Sequence, residues 1–308
     1  MPNPPTPIQL PPPLKPGDLV QVITPSGCLR ETTPSGRNEV EAYLQGVEIW
    51  KSRGYRVQID PGCNRTWGYL AGTDTQRREQ LERAWTDPQV RGILCARGGY
   101  GATRLLENWS WPEIETPKWT IGFSDITALL WSLGDRGIAS VHGPVLTSLA
   151  AEPEWSVERL FDLVEGRPLQ DLQGQGWGGG RVRGMLLPGN LAVATGLLGT
   201  MGLPPLTGVI LAFEDLGEAP YRLDRMLTQW RTTGVLERVG GIALGRFSSC
   251  KVNPAIPSLS ASEVLRDRLS DLGIPVVSEL PFGHEGVNAA LPVGVEVELD
   301  GDRGLLSF

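Results

Sequence analysis

The sequence is poor in histidine and cysteine, and each scarcity narrows the chemistry open to the chain. Its 308 residues include two histidines, so a histidine-rich metal site is excluded and any histidine base must be His142 or His284. The four cysteines are far apart and form no Cys-x-x-Cys pair, which argues against a zinc site and a redox dithiol. They are Cys28, Cys63, Cys95 and Cys250. We therefore expect no metal and no cofactor.

Basic residues are outnumbered by acidic ones, and no apolar run is long enough to span a bilayer. The chain has 28 Lys and Arg against 35 Asp and Glu, which gives a formal net charge of -7. Nucleic acids and anionic membranes both attract a surplus of positive charge. The N-terminus also lacks the basic start and apolar core of a signal peptide. We therefore expect a cytoplasmic protein that binds neither nucleic acid nor membrane.

Strand-like and helix-like segments alternate through the first half of the chain. A proline-rich tail, 1–16, precedes them and favours extended backbone. Apolar β-branched runs predict strands, and runs with apolar residues at helical spacing predict helices between them. Such alternation is typical of a parallel sheet covered by helices on both faces. The predicted strands are 19–23, 55–59, 92–96 and a short one from 141, and the predicted helices are 39–53, 75–85 and one ending at 106.

A glycine-rich segment, 165–184, separates this region from the second half. It has five closely spaced glycines and few large apolar residues, which is typical of a connection between domains. The sequence thus predicts an α/β fold with an N-terminal doubly wound domain over 17–164 and a smaller mixed domain over 185–308. In the second domain we expect strands at 209–213, 241–247, 276–277 and 295–299, and helices at 221–231 and 262–272.

Ser124 lies where a predicted strand turns into a helix. The segment 119–130 runs from an apolar stretch through Gly-Phe-Ser-Asp into a helix-like run. The hydroxyl of Ser124 is therefore expected at the helix N-terminus, where free backbone N–H groups favour negative charge. This makes Ser124 the best candidate nucleophile. On local grounds alone, a helix cap formed by Ser124 or Asp125 is the simpler interpretation, because caps are far commoner than nucleophiles.

Three further segments carry groups that a nucleophile needs. The glycine loop 97–101 follows a predicted buried strand, so its N–H groups can converge on an oxyanion, although a purely structural turn is an alternative. Its spacing matches no nucleotide-binding motif. His284 lies in a turn-rich loop and His142 at a strand end, and the residues alone leave the choice of base open. Glu214 and Asp215 follow a strand, where they either orient a histidine or form a solvated turn.

Several motifs together resemble those of the LD-carboxypeptidases, serine peptidases that include the microcin C immunity proteins. The motifs occur in the family's order and cover nearly everything after the proline tail. They are Thr24-Pro25-Ser26, Ala96-Arg97-Gly98-Gly99-Tyr100-Gly101, Gly122-Phe123-Ser124-Asp125, His142-Gly143-Pro144, Gly189-Asn190-Leu191, Glu214-Asp215, Tyr221-Arg222-Leu223-Asp224-Arg225 and Pro281-Phe282-Gly283-His284. One departure is Pro188, where the family more often has a glycine.

The resemblance implies a fold and a set of catalytic roles. It implies a doubly wound N-terminal domain joined to a smaller β-rich C-terminal domain. Ser124 is then the nucleophile, His284 the general base, and Glu214 the acid that orients the base. The backbone donors implied for the oxyanion hole are Gly99, or alternatively Gly98, and Asp125.

The resemblance also implies a substrate. The expected reaction removes the terminal D-alanine of a muropeptide tetrapeptide from an L-configured centre, that of diaminopimelate or lysine, in peptidoglycan recycling. Arg97 or Arg104 is expected to bind the substrate carboxylate, and Asn190 is a further candidate contact. A homodimer is expected, because dimers are common in the family. The alternatives are an immunity-type peptidase that cleaves peptidyl-nucleotide amides, and a peptide-binding module without chemistry.

Overall fold

The helices and strands predicted above are all present, and their ends agree with the prediction to within three residues. The computed structural model describes residues 8–33, 36, 38–107, 109–200, 202–252 and 254–308. Its helices are α1 Glu39–Ser52, α2 Asp74–Thr86, α3 Ala102–Leu106, α4 Thr127–Asp135, α5 Leu146–Leu149, α6 Glu154–Val164, α7 Leu191–Leu197, α8 Pro220–Thr232 and α9 Ala261–Leu269. Its strands are β1 Leu19–Ile23, β2 Arg56–Ile59, β3 Val90–Cys95, β4 Trp119–Gly122, β5 Ser140–His142, β6 Leu172–Gln173, β7 Gln175–Gly176, β8 Arg181–Asn190, β9 Ile210–Leu216, β10 Gly241–Ser248, β11 Val276–Ser278, β12 Leu291–Val293, β13 Glu296–Asp300 and β14 Leu305–Ser307.

The first sheet is parallel except at one edge. Its order is β12-β5-β4-β3-β1-β2, and β12 pairs antiparallel with β5. The order reverses between β1 and β3, and in open α/β sheets ligands bind at the carboxyl ends of the strands at such a reversal. The loops that follow these two strands meet there, because Gly27 N–H donates to the Gly98 carbonyl at 3.2 Å. This meeting point is where the sequence places the glycine loop.

The second sheet is closed into a barrel by a very short piece of chain. Its order is β6-β14-β13-β8-β9-β10-β11-β7. The two strands at its ends, β6 and β7, are separated by Gly174 alone, so residues 172–176 pair with both edges. The predicted connection 165–184 thus contains strands from Leu172 onward. A segment with few apolar residues forms strands here because its backbone completes the hydrogen bonds of two sheet edges.

Gly174 lies too close to a neighbouring strand to carry a side chain. A Cβ atom on it would stand 2.2 Å from the Ser278 carbonyl oxygen. We expect Gly174→Ala to lower the free energy of unfolding by about 2 kcal/mol, because backbone must move to admit the methyl group. Gly196 in α7 has open space where its Cβ would be, so Gly196→Ala is the control, expected to be neutral or stabilising. Equal denaturation midpoints for the two variants would contradict this account of the closure.

The two sheets share one hydrophobic core. Trp131 of α4, Phe213 of β9 and Trp230 of α8 pack their rings together, with centroids 5.1–6.5 Å apart. Trp131 also donates from Nε1 to the Pro188 carbonyl at 2.8 Å. The strand β12, which follows the last barrel helix in the chain, returns to the first sheet, where Leu291 faces His142. The ends of β4 and β9 are consequently fixed relative to each other.

The described part of the proline-rich tail, 8–16, lies along the rest of the protein; residues 1–7 of that tail lie outside the described ranges. Gln9 pairs with the chain beside Ile138, and the Leu14 side chain is buried. The Trp119 indole donates to the Pro12 carbonyl at 3.1 Å. Within the described ranges, the helices are all too short or too polar to cross a bilayer.

Candidate active site

Ser124 lies on a strained turn between β4 and α4. Its φ is +61°, in the left-handed region that a residue with a Cβ seldom occupies, and such strain costs on the order of 1–3 kcal/mol. The neighbouring glycine loop lies directly against it, because a Cβ on Gly98 would be 3.2 Å from Ser124 Oγ. A serine on a strained strand-to-helix turn is the geometry of a nucleophile elbow. The turn therefore explains how a serine at a helix start can also present its hydroxyl.

Ser124, His284 and Glu214 are hydrogen-bonded in series. His284 Nε2 lies 3.1 Å from Ser124 Oγ, and His284 Nδ1 lies 2.6 Å from Glu214 Oε2. The same carboxylate oxygen accepts the backbone N–H of His284 at 3.2 Å. Ser124 follows the first sheet, whereas Glu214 lies in β9 and His284 in a loop next to the barrel. The structure thus brings together the three residues that the resemblance implied.

The electrostatics of the pair support a base that the carboxylate makes stronger. Glu214 is fully buried, and burial alone would raise its pKa, but the hydrogen bond and charge of His284 outweigh burial and lower it. Burial disfavours the charged form of His284, yet the hydrogen bond and charge of Glu214 raise the pKa of this histidine. Each partner therefore favours the charged form of the other.

His142, the other candidate base, is buried away from the serine hydroxyl. Its ring packs edge-on against Phe123 and Phe282, with centroids 6.0 and 6.3 Å apart. Neither ring nitrogen has a hydrogen-bond partner among the described residues. Burial lowers the pKa of His142 to about 4, so the ring is neutral at pH 7. Of the two histidines, His284 is the one in contact with Ser124.

Asn190, predicted as a substrate contact, is hydrogen-bonded to the buried acid Glu214. Its Nδ2 donates to Glu214 Oε1 at 3.3 Å, and its Oδ1 accepts the Val193 N–H at 3.1 Å as the N-cap of α7. The side chain is buried, and both of its polar ends contact protein groups. An asparagine before an apolar helical run is a cap signal in the sequence, but its bond to Glu214 depends on the pairing of β8 with β9.

Two substitutions of Asn190 distinguish the effect of its bond to Glu214 from the effect of its cap on α7. We expect Asn190→Ser, which keeps a capping oxygen but loses the amide donor, to lower kcat about tenfold, because Glu214 loses a partner. Asn190→Ala should lower kcat equally and also lower the free energy of unfolding by about 1 kcal/mol, because α7 loses its cap. Steady-state kinetics and urea denaturation of both variants measure this split. Unchanged kcat in both variants would show that Asn190 does not support Glu214.

The backbone groups predicted for the oxyanion hole lie beside the serine. Gly99 has a φ of +116°, a conformation that side chains rarely allow, and it follows the glycine in contact with Ser124. The carboxylate of Asp125 points elsewhere: it accepts the Ala102 N–H at 2.7 Å and the Ser26 hydroxyl. Burial raises the pKa of Asp125. Asp125 thus holds the start of α3, directly after the glycine loop, with its side chain.

A buried arginine, which the sequence reasoning missed, ties the same loops together. Arg77 of α2 donates from Nη1 to the Pro25 carbonyl at 2.5 Å and to the Gly101 carbonyl at 2.8 Å. Its side chain is fully buried and pairs with Asp74 at 2.5 Å. The only sequence signal is position, since Arg77 falls on the apolar face of α2 with Leu81.

The two arginines predicted to bind a substrate carboxylate are each paired with an acid of the protein. Arg97 donates to Glu39 and to the Cys28 carbonyl, both at 2.7 Å. Arg104 forms a two-pronged pair with Asp74, at 3.0 and 2.7 Å. A substrate carboxylate would have to share either guanidinium with its present partner.

No cluster of three or more potential metal ligands, counting His, Cys, Asp and Glu, occurs in the residues that the structure describes. The polar side chains around Ser124 are those of a hydrogen-bonded relay. A serine, a histidine and a buried carboxylate in this order on an α/β fold form the type of site found in serine hydrolases.

Comparison with known proteins identifies the family. Residues 20–143 match the family model of the LD-carboxypeptidase N-terminal domain, and residues 183–299 match that of the LD-carboxypeptidase C-terminal domain. The chain is 58% identical over 297 residues to a putative carboxypeptidase of Synechocystis sp., covering 96% of each protein. It is 34% identical to the murein tetrapeptide carboxypeptidase of Pseudomonas aeruginosa, covering 86% of this chain and 89% of that one. The protein belongs to the LD-carboxypeptidase family.

Solved structures agree with this assignment. A muramoyltetrapeptide carboxypeptidase from Oxalobacter formigenes superposes with a TM-score of 0.81 at 29% identity, covering 94% of this chain and 97% of that one. The microcin immunity protein MccF, in complex with glutamyl sulfamoyl guanosine, superposes with a TM-score of 0.84 at 23% identity, covering 97% and 98%. The second match is evidence for the fold alone.

Proposed function

We propose that this protein is a serine carboxypeptidase that hydrolyses the bond between an L-configured centre and the terminal D-alanine of a muropeptide tetrapeptide. The observation that carries the proposal is the series of contacts from Glu214 through His284 to Ser124. The murein-peptide names of the relatives support the substrate class. The L-configured centre is that of diaminopimelate or lysine, and the cellular role is peptidoglycan recycling.

The geometry suits the two proton transfers of acyl transfer. Ser124 Oγ attacks the scissile carbonyl while His284 Nε2 takes its proton, and Glu214 stabilises the imidazolium that forms. His284 then gives the proton to the departing D-alanine amine. Water, deprotonated by the same histidine, cleaves the acyl-enzyme and releases the tripeptide.

The tetrahedral intermediate needs donors for its negative oxygen. The backbone N–H groups of Gly99 and Asp125 are proposed for this role, because both lie next to Ser124 on loops that Asp125 and Arg77 fasten. Each donor of this kind contributes about 3 kcal/mol to transition-state binding in acyl-transfer enzymes. Since the donors belong to the backbone, the site needs rigid loops rather than particular side chains.

Product analysis tests the proposal directly. Incubation with a tetrapeptide ending in D-alanine should yield the tripeptide and free D-alanine, whereas the same peptide ending in L-alanine should be turned over far more slowly. Turnover of a peptidyl-nucleotide amide with no turnover of the tetrapeptide would overturn the proposal in favour of the immunity-type reaction. Tight binding of the tetrapeptide without cleavage would instead favour a binding module.

The proposal includes a location and an assembly state. A cytoplasmic location is proposed because the substrate arises in recycling, and the acidic charge balance gives no attraction to anionic membranes. A homodimer rests on the family resemblance alone. Sedimentation equilibrium of the purified protein measures whether it is a homodimer.

A further inference from the structure

Three aromatic side chains lie exposed beside the glycine loop. Trp67, Tyr69 and Tyr100 have 53%, 57% and 53% of their surface accessible, and we call them the aromatic rim. The rings of Tyr69 and Tyr100 meet edge to face with centroids 5.7 Å apart. Large aromatic side chains are seldom left exposed as a group unless they bind something. The exposure of the rim therefore indicates that it binds a ligand.

The rim belongs to the wall of the candidate active site. Tyr100 follows Gly99, and the backbone carbonyl of Tyr69 accepts the Cys28 N–H at 3.2 Å. Since Gly98 touches Ser124 and successive Cα atoms are about 3.8 Å apart, the Tyr100 ring lies within about 15 Å of the serine hydroxyl. The three peptide residues on the N-terminal side of the scissile bond span about 10 Å when extended. A tetrapeptide with its last bond at Ser124 can thus place its first residue at the rim.

The rim is held by polar contacts rather than left loose. Arg104 lies over the Trp67 ring, with its guanidinium carbon 5.9 Å from the centroid, and pairs with Asp74. Asp74 is held in turn by the buried Arg77. Leu70, between the rim's loop and the glycine loop, is fully buried beneath Gly101. A site fixed in this way loses little conformational entropy when a ligand binds.

The chemistry of the rim favours one class of ligand. Its rings offer flat apolar faces, while two phenol hydroxyls and the Arg104–Asp74 pair offer donors and acceptors around them. The Arg104 guanidinium is already held by both oxygens of Asp74, which leaves it poorly placed to hold a phosphate. A pyranose ring has an apolar face of C–H groups and an edge of hydroxyl and amide groups. These two surfaces complement the faces and edges of the rim.

We propose that the aromatic rim binds the amino sugar that a muropeptide carries at the N-terminal end of its peptide. This inference rests on the proposed function, because it assigns the opposite end of the same substrate. The sugar stacks on the aromatic faces while the terminal D-alanine lies at Ser124. The enzyme then distinguishes muropeptides that retain their sugar from free peptides through the rim.

Two substrates and a matched control test the proposal. Trp67→Leu and Tyr69→Leu keep apolar side chains but remove the rings, and Trp155→Leu removes a ring from α6 that is 46% exposed. For each protein, kcat/KM is measured with the tetrapeptide and with the same tetrapeptide carrying N-acetylmuramic acid. We expect each rim variant to lower the ratio of sugar-bearing to free substrate about tenfold, mainly through KM, as befits a lost stacking contact. Trp155→Leu should leave the ratio unchanged.

The outcomes separate this proposal from the proposed function. If the wild-type enzyme cleaves both substrates and the rim variants leave the ratio unchanged, the sugar site is wrong and the carboxypeptidase stands. A ratio that falls equally in Trp155→Leu also overturns the sugar site. If the wild-type enzyme cleaves neither substrate, the proposed function fails, and the sugar site fails with it.

Discussion

Ser124→Ala is expected to lower kcat for D-alanine release by about 10⁵-fold or more, because the attacking oxygen is lost while the rest of the relay stays in place. The release of D-alanine is measured with a coupled D-amino-acid assay on the purified protein. Binding should survive, so calorimetry with the intact tetrapeptide should give a Kd close to the wild-type KM or below it. Loss of activity with retained binding is what separates a nucleophile from a residue that merely shapes the site.

Two further variants test whether the loss of activity has another cause, such as backbone strain or the loss of any serine hydroxyl. Because Ser124 has a positive φ, Ser124→Gly should be equally inactive but more stable than Ser124→Ala, since glycine relieves the strain. Ser148→Ala removes a serine hydroxyl that, within the described residues, donates to the Val145 carbonyl, and its kcat should match the wild-type value. Activity above about one per cent of wild type in Ser124→Ala would overturn the assignment, since a triad without its nucleophile retains far less.

Glu214→Gln is expected to lower kcat by about 10⁴-fold and to move the acidic limb of the pH profile to lower pH. The neutral form of His284 is the base, so activity rises with pH through the pKa of this residue. Glu214 raises that pKa by stabilising the imidazolium, and an uncharged amide removes the effect. The residual activity of the variant should therefore persist to more acidic pH than that of the wild type. Profiles of kcat/KM against pH measure both changes.

Asp215→Asn is the matched control for Glu214→Gln. Asp215 is buried next to Glu214, but its carboxylate accepts the backbone N–H groups of Ala192 and Leu216 rather than a histidine proton. Burial raises the pKa of Asp215 to about 6, unlike that of Glu214. Its variant should lower kcat less than tenfold and move the acidic limb far less. An equal displacement of the limb in both variants would show that general charge, not the contact with His284, sets the profile.

Much of the first domain could be predicted from the sequence because its signals are local. The strands β1 and β3 are largely apolar runs, and α1 and α2 carry apolar residues at helical spacing, so their alternation indicated the parallel sheet. The strained backbone of Ser124 is also a local feature, because Ser124 lies in the tight turn that joins a strand to a helix. The choice of His284 over His142 did not follow from local chemistry, because it depends on how a barrel loop approaches the first sheet.

What sequence reasoning missed depends on contacts between distant segments. Residues 172–176 have no strand pattern, and they pair only because two barrel edges lie on either side of them. The role of Asn190 toward Glu214 required the register of β8 against β9. Arg77 looked like one more charged helical residue, and its burial under the loops 24–27 and 97–101 depends on tertiary packing. No local sequence pattern indicates any of these features, because each depends on the tertiary fold.

The return of β12 to the first sheet has a consequence for how the gene could be divided. The strand β12, Leu291–Val293, covers the β5 edge of the sheet that presents Ser124, although it follows His284 in the chain. A fragment ending near residue 170 would expose the β5 edge and half of a shared core, and the complementary fragment would carry an orphaned strand. Split halves should therefore reassemble only when produced together, and neither should be soluble alone. Recombination between relatives would have to exchange this strand along with the N-terminal half.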